Sequence, residues 1–153
     1  MSENEAIISL MNDLILTCKD GEKGYREAAE GLQNAFYQML LNDYSRQRSK
    51  FASQLLAQVV MMGGEPDRKG TVKGAIHRGW MNLKTAIAGK SDNAIISECK
   101  RGEEIAIKIY RDALKRDLPP QIKALLEQQL IEIIATEKRV SVMDSRKDVK
   151  HSS

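Results

Sequence analysis

Cys18-Lys19-Asp20-Gly21-Glu22 recurs as Cys99-Lys100-Arg101-Gly102-Glu103, 81 residues further along the chain. At the same offset Asn12 falls on Asn93, Ile15 on Ile96, Val59 on Val140 and Met62 on Met143. One pentapeptide can recur by chance. The same offset returning much later, at two more apolar positions, is harder to obtain that way. A repeat of this length predicts two pairs of elements related by symmetry. Equivalent elements need similar core residues, and that alone accounts for the recurrence without any shared chemistry.

The elements read as helices. Only Pro66, Pro119 and Pro120 interrupt a chain otherwise rich in helix formers, which favours helix over sheet. Over residues 4–33, Ile7, Met11, Leu14, Cys18, Gly21, Tyr25, Ala28 and Leu32 follow the alternating three-and-four spacing of a buried helix face. Gly31 and Asn34 then predict a break. A second stripe runs Tyr37, Leu41, Tyr44, Arg48, Phe51, Leu55, Val59 and Met62, and Gly63-Gly64-Glu65-Pro66 stops it. The third helix starts at Ser91 or Asp92, either of which can cap it, and follows Ile95, Cys99, Gly102, Ala106, Ile109 and Ala113. Pro119-Pro120 ends it and opens the fourth, whose stripe is Ile122, Leu126, Gln129, Ile133, Thr136, Val140 and Met143. The link from Gly64 to Gly89 carries Val72, Ile76, Trp80 and Leu83, and reads as one short extra helix laid across the others. A short, a long and a short link predict an all-α, ferritin-like four-helix bundle whose crossover joins the second and third helices. One domain is expected over 1–145, with a frayed polar tail over 146–153.

Composition narrows the function classes. A chain of 153 residues with 42% apolar and 29% charged residues suits one soluble, well-cored domain. The net charge of +3 is spread through the sequence, which argues against a nucleic-acid surface. There is no apolar run near the ~20 residues of a membrane span. The start, with Ser2, Glu3 and Glu5, does not read as a secretory signal. Two cysteines in that setting are expected to be reduced and cytoplasmic. No phosphate-binding loop, nucleophile elbow or Cys-x-x-Cys is present, so nucleophilic catalysis has no support. The partners expected are a second copy of the chain or another protein.

Ferritin-like di-iron proteins place one Glu on each of two helices and Glu-x-x-His on each of the others. Glu22 and Glu103 are repeat mates and suit the single glutamates. The other two positions read Arg48-x-x-Phe51 and Gln129-x-x-Glu132, and the only histidines, His77 and His151, lie elsewhere. An inward guanidinium satisfies carboxylates by paired hydrogen bonds and repels a divalent cation. The favoured expectation is therefore a structural polar core of Glu22, Arg48, Glu103 and Gln129, with no cofactor. The alternative is a degenerate, ferroxidase-like site for iron or manganese built from Glu22, Glu103, Gln129 and Glu132. Cys18 and Cys99 read as packing residues, and Met39, Met61, Met62, Met81 and Met143 as core filling. His77, Arg78 and Trp80 form a candidate partner surface, against the simpler reading of a crossover helix seated on the bundle.

The strings CKDGEKGYREAAE, GAIHRGWMNLK and ECKRGEEIAIKIYRDAL followed by LP resemble a bacterial family of ferritin-like four-helix-bundle proteins of unknown function, over Ile7 to Val140. The resemblance implies a bacterial cytoplasmic setting and a distant relation to rubrerythrin and bacterioferritin, but no activity. Members of that family often carry a histidine near the position held here by Thr136 or Glu137. The reading that follows is a non-enzymatic bundle acting through self-association or a protein partner, with a role in stress.

Overall fold

The computed structural model describes residues 2–65 and 78–152, apart from the side chains of 78 and 145–152. The described residues form helices and no strand. Helix α1 spans Glu3–Gly31 and α2 spans Ala35–Met61; a 3-10 turn covers Arg78–Trp80; α3 spans Leu83–Ala88, α4 Asp92–Leu114 and α5 Pro120–Ser152. None of these helices is long and apolar enough to cross a membrane.

Each boundary has a local cause. Ser2, Asn34 and Ser91 cap α1, α2 and α4 by accepting the backbone N–H groups of Glu5, Tyr37 and Ala94 at 3.0–3.1 Å. A side-chain oxygen there satisfies one of the donors that the first turn leaves open. Helix α2 stops where Gly63 takes φ 79°, a left-handed conformation that glycine adopts without penalty. Asn12 then holds the outgoing strand of chain by donating to the Glu65 carbonyl at 3.1 Å. At the opposite end the Asp92 carboxylate accepts N–H bonds from Gln33 and Asn34, tying the start of α4 to the α1–α2 link.

Helices α1 and α2 form one hairpin, α4 and α5 the other, and α1 lies along α4 while α2 and α5 approach closely at few positions. Two apolar clusters fill the interior. One holds Met11, Cys18, Phe51, Leu55, Tyr110, Leu126 and Ile133; the other holds Tyr25, Leu41, Tyr44, Ile95, Cys99 and Val140. Along every long helix the switch between them falls at one level. That level is marked by Gly21, Arg48, Glu103 and Thr136, all buried. A polar layer thus divides the core at mid-height.

Helix α5 continues to Ser152; no Gly or Pro interrupts the chain after Asp144, and a polar segment can extend a helix already nucleated. One expectation is corrected. Met39, Met61 and Met81 are 51%, 71% and 63% exposed and fill no core gap: each lies on the outer face or at an end of its element. Met143 is buried as a core residue. The expected crossover residues Val72 and Ile76 lie outside the described residues.

Candidate functional site

Arg48 is the centre of the polar layer. Position 48 on the α2 stripe carries the guanidinium inward between Tyr44 and Phe51, leaving it 2% exposed. Its Nη1 and Nη2 donate to Oε1 and Oε2 of Glu103 across the bundle, both at 2.5 Å. Glu103 is fully buried. Such a fork matches the planar geometry of both groups and is among the strongest polar contacts available to side chains. Nε of Arg48 donates to Gln47 at 3.2 Å, and the Thr136 hydroxyl reaches the same Gln47 oxygen at 3.4 Å. Burial works against the guanidinium's charge, but the Glu103 carboxylate outweighs it and holds Arg48 protonated beyond its usual range.

Aromatic rings close the layer from one side. The Arg48 guanidinium lies 5.5 Å from the Tyr25 ring centroid, near enough for a cation–π contribution. Tyr25 meets Trp80 edge-on at 5.1 Å and Tyr44 at 5.5 Å. Trp80 itself is wedged between two helices at glycines. A Cβ on Gly24 of α1 would overlap the indole, and one on Gly102 of α4 would come within 2.7 Å of it. Beside the pair, Asp20, Gly21, Gly102 and Trp80 border a cavity of about 10 Å³, the size of a single water.

A second chain of bonds runs one turn away. The Tyr110 hydroxyl donates to Gln129 Oε1 at 2.7 Å, so its oxygen is left to accept from the Cys18 thiol at 3.2 Å. Gln129 Nε2 donates in turn to Gln54 at 3.0 Å and to the Phe51 carbonyl at 3.4 Å. Burial pushes the Cys18 thiol up to about 11, and it also raises Cys99, Tyr25 and Tyr110. These groups stay protonated at neutral pH and offer no nucleophile there.

The residues expected from sequence distribute unevenly. Arg48, Glu103 and Gln129 are buried in the two networks, but Glu22 is half-buried, and both oxygens bonded to Arg48 come from Glu103. Charge balance gives the reason. One guanidinium neutralises one carboxylate, and a second buried carboxylate would be left unpaired at high cost. Glu132 is also half-buried, and its backbone carbonyl accepts from Thr136. Among the described residues, no three His, Cys, Asp or Glu side chains lie close enough to hold a metal ion. Iron or manganese ligation by Glu22, Glu103, Gln129 and Glu132 does not fit this donor set, since both Glu103 oxygens are committed to Arg48. His77 and the Arg78 side chain lie outside the described residues, while Trp80 is half-buried in its glycine slot.

Tyr110, Gln54 and Gln47 were not singled out from the sequence. The repeat held a signal for Tyr110: Tyr25 is matched by Ala106 and Tyr110 by Ala29, an exchange of large and small between equivalent turns. Gln47 and Gln54 lie off the stripe and carried no such signal.

No curated protein matches the chain. A family model described as a domain of unknown function, DUF2383, matches residues 6–116. The match takes in α1, α2, the crossover and α4, so that Arg48 and Glu103 fall inside it and Gln129 beyond it. On that match over most of its length, the chain belongs to the DUF2383 family.

Proposed function

We propose that this protein is a ferritin-like four-helix bundle in which an internal ion pair stands where relatives with metal centres hold their ligands, and that it acts without catalysis, through self-association or a protein partner. The observation that carries this reading is the Arg48–Glu103 fork, buried on both sides and engaging both carboxylate oxygens. It supports a structural role because it leaves Glu103 no oxygen for a metal and leaves Arg48 no open donor fork for a substrate. The links support the ferritin-like order: short between α1 and α2, long from Met62 to Ser91, short between α4 and α5. Phe36 and Met39, one turn apart at the start of α2 and 59% and 51% exposed, offer apolar surface for association. A cytoplasmic role in stress belongs to the same reading.

The test is metal content by elemental mass spectrometry after loading with ferrous or manganous ion, together with mass by light scattering. Retained metal should be negligible and unchanged by Glu103→Gln. Two equivalents per chain, lost on changing Glu22 or Glu103, would replace this reading with a carboxylate metal site.

A further inference from the structure

Between α3 and the first turns of α4 runs an open groove of about 420 Å³, within the range of small-molecule sites. Ala86 and Gly89 wall one side, and Ala94, Ser97 and Glu98 the other. Glu98 sets its chemistry. The side chain is only 5% exposed, yet it carries a carboxylate. One oxygen accepts the backbone N–H of Asn82. The other faces Nε of Arg101 at 3.8 Å, beyond hydrogen-bonding distance. That oxygen therefore retains room for a donor, and a buried charge gains most from one. Ser97 gives its hydroxyl to Asp144 at 2.8 Å, so a second carboxylate stands at the same edge. Among the described side chains, two carboxylates against one guanidinium make this end of the groove attractive to cations.

We propose that the groove binds a small organic cation, a primary ammonium on a short aliphatic body. The ammonium takes the open oxygen of Glu98 and the body lies along Ala86, Gly89 and Ala94. A bare metal ion is a poorer occupant, because the described residues bring no third ligating group to the site. The proposal is independent of the role assigned to the Arg48–Glu103 pair.

The test is calorimetric titration of the full chain with n-butylammonium, with butan-1-ol and butyrate as controls of equal size. Saturable binding is expected for the ammonium alone. Glu98→Gln keeps an oxygen for the Asn82 N–H and should weaken binding at least about tenfold, the value of one lost charged hydrogen bond. Arg101→Gln removes the competing cation and should tighten it. Equal binding of the alcohol would reduce the site to an apolar cleft, and tighter binding of butyrate would make Arg101 the anchor; either result overturns the proposal. So does an absence of saturable binding in both the wild type and Arg101→Gln, a comparison that stands even if Glu98→Gln fails to fold.

Discussion

Replacing Arg48 with Leu isolates what the polar layer contributes. The substitution removes both 2.5 Å bonds and leaves the Glu103 carboxylate, fully buried, without its cation. Breaking such a pair from one side typically costs about 3–5 kcal/mol. For a chain of this size, each kcal/mol lowers the melting temperature by about 2–4 °C, so a drop of roughly 6–20 °C is expected. Glu103→Leu should cost a similar amount, since it strands the guanidinium instead. The double variant Arg48→Leu/Glu103→Leu strands neither charge, and an apolar replacement of a buried pair is often neutral or stabilising by about 1–4 kcal/mol. Urea denaturation of the four proteins closes the cycle. Additive losses in the double variant, or single losses below about 1 kcal/mol, would refute the reasoning: the pair would then be solvated and coupled to nothing.

Two further outcomes follow from the same geometry. Gly24→Ala should eject Trp80 from its slot, costing about 1–3 kcal/mol through overpacking and red-shifting the tryptophan emission; unchanged emission would mean the indole is not held there. Because burial pushes the Cys18 thiol from 9.0 up to about 11, the unfolded chain loses that proton first as pH rises. The contribution is complete below pH 9 and is lost as pH climbs toward 11, by about 3 kcal/mol. Cys18→Ala should therefore flatten part of the alkaline decline in urea midpoints, and an identical decline in both proteins would count against it.

Much of the fold was legible because helix signals are local. The stripes, the break at Gly31 and Asn34, the cap at Ser91 and the stop at Gly63 depend on residues within one turn of each other. The inward direction of Arg48 was legible for the same reason. Which glutamate it meets was not. Glu22 and Glu103 occupy equivalent places in the repeat, and only the charge balance of the assembled core distinguishes them. The slot for Trp80 was invisible for a related reason. Gly24 and Gly102 are isolated helix glycines in the sequence, and their purpose depends on a ring arriving from the crossover.

The unequal use of two equivalent glutamates bears on how the halves of this molecule recognise each other. Hairpins that share a repeat share a core pattern, so apolar packing alone discriminates weakly between joining unlike halves and joining two copies of the same half. The charges discriminate against one of the two like pairings. Two α1–α2 hairpins face to face would set Glu22 of each at the place of Glu103, within reach of the other's Arg48. Two α4–α5 hairpins would bury two copies of Glu103 against Gln129 with no guanidinium in reach. A pair of α4–α5 hairpins is therefore the one combination left with unpaired carboxylates at mid-height. Gln129 in place of a second arginine therefore disfavours assemblies made from two α4–α5 halves, which the near-symmetric sequence would otherwise tolerate.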